Sequence, residues 1–361
     1  MQQLVEHGIH VVDSGFVRPR LDAIHLIEEG GRVAIVDTGV NESVPRVLDA
    51  LAGLGLGPEN VDWIVLTHVH LDHAGGAGEL MRLMPAARLL VHPRGVRHMI
   101  DPSRLIAGTI EVYGAEAAHR MYGEILPVPA QRVVEAPDGA AIELNGRRLE
   151  VLDTPGHASH HLCLFDTRAR VVFTGDTFGL SYRELDVGDC QFVVPTTTPI
   201  QFDPPALHRS IDRIVALQAR AACLTHYGPV SDVERLADDL HRQIDALVVL
   251  GKTCACRFEG AAVDTLDEGP GSLRRCLRDG VRDLILAEGR RQGWAGGEDD
   301  WLRIFDLDIR LNGDGLAAWL ARTERIGPQP LVAAPSEAGR KAASMPTKTF
   351  GEPATSCSEN R

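Results

Sequence analysis

The chain has 361 residues, 44% hydrophobic and 24% charged, with 37 Lys and Arg against 50 Asp and Glu and a formal net charge of -13. These proportions are those of an ordinary globular protein, long enough for one large domain or two of moderate size. The acidic balance speaks against a nucleic-acid backbone or an anionic membrane as the main partner, because both would be repelled over most of the surface.

No stretch approaches the roughly 20 apolar residues that span a bilayer. The start "MQQLVEHGIHVVDSG" lacks the basic residues and apolar run of a signal peptide. Seven cysteines, scattered singly except for Cys254 and Cys256, suit a reducing cytoplasm better than a disulfide framework. A lone CxC is weak evidence for a redox or metal pair.

In chain order, "LDAIHLIEE", the turn "GG" and "RVAIVDTG" predict a β-hairpin. "NESVPRVLDALAGLGL" predicts a helix capped by Asn41, with Val44, Val47, Leu48 and Leu51 at helical spacing. "VDWIVLT" is a buried strand, a helix restarts near Gly75, and "ARLLVH" returns to strand. This alternation implies an α/β layered architecture. Residues 103 to 122 predict helical structure, an insertion able to lie over a site made by neighbouring loops. From Gln131 to Thr174 successive strands follow, with hairpin turns at Asn145-Gly146 and at "TRAR", 167 to 170. The second half repeats the α/β mode: a helix near 204 to 218, the strand "AACLTH" and a helix near 232 to 250. Residues 1–250 thus read as the main domain and 251–326, with Trp294 and Trp301, as a C-terminal helical extension. From Gly327 to the end, Pro, Ala, Ser, Thr and Gly dominate and predict a disordered tail.

The chemistry concentrates in "VLTHVHLDHAGG", which places His68, His70, Asp72 and His73 within six residues. Burying these groups uncompensated would be expensive, whereas imidazole nitrogen and carboxylate oxygen are the donors that zinc, iron and manganese accept. His68 and His70 point the same way in an extended segment, and Asp72 and His73 follow where the chain turns. One loop can therefore face two adjacent points, which suggests two metals. Further donors stand after other apolar runs: His157 in "VLDTPGHASHH", Asp176 in "VVFTGDTFG" and His226 in "CLTHYGP". An α/β scaffold gathers its site residues at such positions. His25, His92, His98, His119 and His241 are isolated and read as ordinary core or surface histidines. His160 and His161 either orient a ligand or line the pocket, or simply face a sheet.

In this order "THVHLDHAGG", "TPGHASHH", "FTGDTFG" and "LTHYGP" resemble the metallo-β-lactamase-fold hydrolase superfamily, including its hydroxyacylglutathione hydrolase-like, lactonase-like and diiron members. The resemblance implies a four-layer αβ/βα sandwich, an α/β fold here carrying a C-terminal helical appendage, with a dinuclear metal site at one edge. One metal would take His68, His70 and His157, the other Asp72, His73 and His226, and Asp176 would bridge them. Asp37, in "VDTG", matches a carboxylate that supports a ligand, although it could equally cap the following helix. Zinc is the first expectation for both ions, with iron or manganese as alternatives.

The implied reaction is hydrolysis of a small ester, thioester, lactone or phosphodiester by a metal-bound hydroxide. Asp72 is the expected catalytic carboxylate, orienting the nucleophile and shuttling a proton. The rival is a diiron protein reactive toward oxygen or nitric oxide, since nitrogen and oxygen donors suit iron as well. The complete second set speaks against a single-iron dioxygenase, and a purely structural module would not need two open metals. The glutathione-binding basic and Tyr residues of hydroxyacylglutathione hydrolases are not matched one by one. The large inserted domain and basic surface of nucleic-acid-processing members are missing as well. The expected partner is therefore a small molecule, in the cytoplasm, without nucleic acid or membrane. The long Pro-containing stretch 178 to 205 predicts a pocket wall, with Tyr182, Arg183, Phe192, Phe202 and Tyr227 as either substrate contacts or packing residues. The C-terminal helices either cover the pocket or form a homodimer interface.

Overall fold

Strand residues alternate between two apolar environments. In the computed structural model, which describes residues 2–197, 200–258, 269 and 271–325, twelve strands make two six-stranded mixed sheets among the described residues. The first sheet runs β1 (Ile9–Asp13), β2 (Ala23–Glu29), β3 (Arg32–Val36), β4 (Val61–Val65), β5 (Arg88–Val91) and β6 (Val133–Glu135) in spatial order. The second runs β12 (Gly228–Val230), β11 (Ala221–Leu224), β10 (Val171–Gly175), β9 (Leu162–Asp166), β8 (Arg147–Asp153) and β7 (Ala141–Leu144). β3 to β6 are parallel, as are β10 and β11; the other neighbours are antiparallel.

The period of two sorts each strand's residues into layers. On β3, Ala34 and Val36 join Phe173, Leu162, Leu164 and Val151 in the core between the sheets, while Val33 and Ile35 face the outer helices. On β9 and β11, Leu162, Leu164 and Cys223 point inward, and Cys163, Phe165, Ala222 and Leu224 point to the opposite helical layer. Apolar residues on both faces require helices on both outer surfaces, which gives the four-layer α/β sandwich.

After the short α1 (Gln2–Val5), the helices of the first half are α2 (Val44–Gly53), α3 (Leu71–Ala74), α4 (Ala77–Leu83), α5 (Val96–Ile100), α6 (Ser103–Tyr113) and α7 (Ala115–Tyr122). The second half carries α8 (Pro204–Ala216), α9 (Val233–Arg257), α10 (Leu273–Gln292), α11 (Glu298–Ile304) and α12 (Asp306–Arg325). The C-terminal helices pack directly onto the second sheet's outer layer: Phe192 meets Trp294 at 4.5 Å between ring centres, and Tyr182 meets Phe305 at 5.2 Å.

Two local expectations, the Asn41 cap and the unpaired cysteines, need correcting, and two others gain detail. Asn41 does not cap a helix; it opens a 3-10 turn, Ser43 Oγ accepts the Val40 N–H, and α2 starts at Val44 with Pro45 in its first turn. The helix expected near Gly75 is α4, from Ala77 to Leu83, and a further four-residue turn, α3, precedes it, so Asp72 and His73 stand on a helical turn. Residues 103 to 122 form two helices, broken at Gly114 with φ +80°. The cysteines are not all unpaired: Cys254 of α9 is joined to Cys276 of α10, with Cα atoms 6.2 Å apart. Cys256 is free and exposed, because two residues along a helix turn the side chain by about 200°. The Asn145-Gly146 hairpin turn is as expected, with both residues at positive φ. The tail from Gly327 lies outside the described residues.

Candidate metal centre

The site is built where strands end. β4 leads through Leu66 and Thr67 to His68, His70 and α3; β8 leads to His157; β10 leads directly to Asp176; and β11 leads through Thr225 to His226. His70, in extended conformation, is the N-cap of α3, so the chain switches there from a period of two to helical spacing. That switch turns Asp72 and His73 away from the direction of His68 and His70. Gly175 lets β10 close onto the cluster: with φ +48°, a Cβ there would meet Thr67 Oγ1 at 2.6 Å and His161 Nε2 at 2.7 Å.

All seven residues singled out from the sequence come together. The donor atoms of His68, His70 and His157 lie within 4.8 Å of one another, as do those of Asp72, His73 and His226. In the first set, His70 Nδ1 is 2.8 Å from His68 Nε2 and 3.1 Å from His157 Nε2. In the second, Asp72 Oδ2 is 3.7 Å from His73 Nε2 and 3.6 Å from His226 Nε2. Asp176 faces both. Its Oδ1 is 3.2 Å from His73 Nε2 and 3.4 Å from His226 Nε2, while its Oδ2 is 3.5 Å from His157 Nε2.

These donors fit a bound cation better than they fit each other. His73 Nε2 and Asp176 Oδ1 are buried and lack a properly aligned hydrogen-bond partner, although each has the other nearby. Such orphaned polar atoms are costly unless something between them takes their lone pairs. On the far side of its ring, His73 Nδ1 is hydrogen-bonded to Asp37 Oδ2 at 2.8 Å, the carboxylate–histidine arrangement that orients ligating imidazoles. His226 Nδ1 lies 2.7 Å from Asp22 Oδ1, an ion-pair contact without hydrogen-bond alignment.

Asp37 therefore supports His73 rather than serving as a helix cap. It also accepts the Thr67 N–H and the hydroxyls of Thr67 and Thr225 at 2.7 to 3.0 Å, and it holds φ +56° in a wholly buried position. A non-glycine residue in the left-handed region is strained, and four hydrogen-bond partners over-determine it. His161 is a positioning residue as well: its Nε2 accepts the Asp176 N–H at 3.1 Å, and its Nδ1 lies 3.0 Å from the hydroxyls of Thr154 and Thr177. His160 stands beside the cluster, edge-on to His70 with ring centres 5.7 Å apart, and its Nδ1 has no protein partner.

Burial and neighbouring charge split the histidines electrostatically. Burial, reinforced by adjacent imidazoles, holds His68 well below its ordinary value, His70 at about 3 and His157 at about 4. Burial opposes protonation of His73 and His226 too. There it is outweighed by Asp176 with Asp37 and Asp72 for His73, which rises well above its usual value, and by Asp176 with Asp22 for His226, which rises to about 10. Asp176 is held well below the carboxylate range: burial pushes it up, but His226, His73 and His157 prevail.

The family model of the metallo-beta-lactamase superfamily matches residues 18–226, more than half of the chain and the span of all these residues. The chain belongs to the metallo-beta-lactamase superfamily. A metallo-beta-lactamase fold-containing protein of Sulfurisphaera tokodaii is 27% identical over 62% of this chain and 80% of its own length. A hydroxyacylglutathione hydrolase of Aeromonas hydrophila is 31% identical over 54% of this chain, which spans little more than half (56%) of that relative. Among solved structures, an archaeal superfamily member from Sulfolobus tokodaii shares the fold, with a TM-score of 0.59 at 22% identity over 86% of this chain and 98% of its own.

Sequence reasoning missed Asp22, Thr67 and Thr225. The threonines carried a signal, since both strand ends read Leu-Thr-His, at 66–68 and 224–226, and both hydroxyls reach Asp37. Asp22 carried none, because its partner His226 is about 200 residues away in the chain. The proposed pocket wall also needs revision. Phe192 and Phe202 are core residues, 2% and 1% exposed, and the Tyr182 hydroxyl is spent on the Asp308 carboxylate at 3.0 Å. Arg183 pairs with Asp186 at 3.2 Å, which leaves Tyr227, partly exposed beside His226, as the open member of that group.

Proposed function

We propose that this protein is a dinuclear-metal-dependent hydrolase acting on a small ester, thioester, lactone or phosphodiester. The observation that carries the proposal is Asp176, whose two carboxylate oxygens face separate donor sets at 3.2 and 3.5 Å. In this assignment His68, His70 and His157 hold one ion, Asp72, His73 and His226 hold the other, and Asp176 is shared. Nitrogen and oxygen donors without thiolate suit zinc, iron and manganese alike, and zinc is the first ion to test. Bound divalent ions here would supply water activated at neutral pH and an electrophile for the substrate's carbonyl or phosphoryl oxygen.

The chain's own residues do the rest. Asp72 is the most open of the acidic donors, its side chain 23% exposed against 5% for Asp176. Its carboxylate is thus the one able to accept the proton of an attacking water and pass it to a leaving group. Asp37 and Asp22 hold the imidazoles of His73 and His226 in one orientation, and His161 holds the backbone of Asp176. Above Asp72, the α6–α7 pair contributes two tyrosines. Burial and then the Asp72 carboxylate push the Tyr113 hydroxyl up to about 12, and the same two causes push Tyr122 further. Both stay protonated; the Tyr122 hydroxyl donates to that of Tyr113, which leaves the Tyr113 O–H as the donor toward an oxygen-rich substrate.

The hydroxyacylglutathione hydrolase relative makes a thioester the first substrate class to try. Protein purified without added metal should contain two ions per chain and hydrolyse one member of a panel of aryl esters, acyl thioesters, lactones and phosphodiesters. Asp176→Ala should lose both ions and the activity together. Full activity in a metal-free Asp176→Ala protein would sink the proposal, and two irons per chain with an oxygen-sensitive visible band would replace hydrolysis by redox chemistry.

A further inference from the structure

A second arrangement of nitrogen donors lies away from the centre, on the outer helices of the second sheet. His208 of α8 and His241 of α9 bring their Nδ1 atoms to 2.6 Å. The rings are nearly parallel, at 15°, with centres 4.9 Å apart. That separation is what two imidazoles give when facing nitrogens and ring centres lie close to one line. On the outer side, His208 Nε2 is 3.3 Å from Asp245 Oδ1 and His241 Nε2 is 3.1 Å from Asp212 Oδ1.

At 2.6 Å one Nδ1–H donates to the other Nδ1, a pair in complementary tautomers. The same two nitrogens offer both lone pairs to a metal ion once each ring carries its hydrogen on Nε2, beside its carboxylate. A carboxylate behind each imidazole is the pattern of metal-ligating histidine. Each histidine side chain is 27% exposed, so an ion can enter from solvent and keep water in its remaining positions.

We propose that His208 and His241 form a surface site for an imidazole-preferring transition metal of the zinc and copper(II) kind, separate from the dinuclear centre, that ties α8 to α9. Zinc–nitrogen bonds of about 2.0–2.1 Å need the two nitrogens to open from their present contact, which rotation of the side chains provides. On binding, the donating ring passes its Nδ1 hydrogen through solvent to its own Nε2, and both Nδ1 lone pairs go to the metal. The sequence did not mark the pair, because the two histidines are 33 residues apart on different helices.

The test uses full-length protein and His208→Ala/His241→Ala, both equilibrated against the same free Zn2+ concentration and counted by elemental analysis. Wild type should hold one zinc per chain more than the double variant, and its thermal midpoint should rise with zinc by an increment the variant lacks. His241→Gln, which keeps the side-chain volume and removes the paired lone pair, should lose the same zinc even if the double variant folds poorly. Equal zinc counts in wild type and His241→Gln would overturn the proposal.

Discussion

The two donor sets of the candidate centre use the same side-chain types and differ in what surrounds them. His68, His70 and His157 sit among other imidazoles, and burial keeps them neutral. His73 and His226 sit among Asp22, Asp37, Asp72 and Asp176, which draw protons onto them. Imidazole chemistry is the same in both places; the local count of carboxylates decides whether a metal meets a free lone pair or must displace a proton.

The largest expected effect comes from the residue shared by both sets. Asp176→Ala should remove both ions and lower kcat/KM by about a thousandfold or more, roughly 4 kcal/mol of transition-state stabilisation. Retention of one full metal equivalent would show that the sets are independent. Next come the supporting carboxylates, whose direct imidazole contacts are with the second set. Asp37→Asn and Asp22→Asn should each weaken one of the two ions by about 10–100-fold and leave the other unchanged, as read by competition with a chelator. A uniform loss at both ions would erase the distinction.

Proton counting tests the same contrast without a mutation. Loading the metal-free protein near pH 7.5 should release protons, and these should come from the second set, whose imidazoles are held charged by their carboxylates. Calorimetry in buffers of different ionisation enthalpy measures that release. A release that survives Asp37→Asn and Asp22→Asn in full would place it elsewhere.

The smallest effect concerns His25, buried against Phe173 with ring centres 5.3 Å apart. Burial lowers it to about 4, with Asp37 opposing. Because its folded value is depressed below the ordinary 6.5, the neutral ring contributes fully above pH 6.5. That contribution is lost as the pH falls from 6.5 toward 4, by at most about 3 kcal/mol. His25→Leu should flatten the difference in urea midpoint between pH 7 and pH 5; an unchanged slope would remove His25 from the account.

Much of this molecule was legible in its sequence because the information is local. Period-two runs with apolar residues on both faces could only be doubly covered strands, and His68, His70, Asp72 and His73 lie within one loop. His157, Asp176 and His226 were readable because each follows a strand whose end is visible as an apolar run. What the tertiary structure alone decided depends on partners distant in the chain. It paired Asp22 with His226, turned Asp37 into a support for His73, and buried Phe192 and Phe202 beneath the C-terminal helices. It also joined Cys254 to Cys276 and set His208 against His241. The reason is physical: a side chain's type and periodicity are written in its neighbours along the chain. Its protonation state and hydrogen-bond partner are set by whatever the fold brings within a few ångströms.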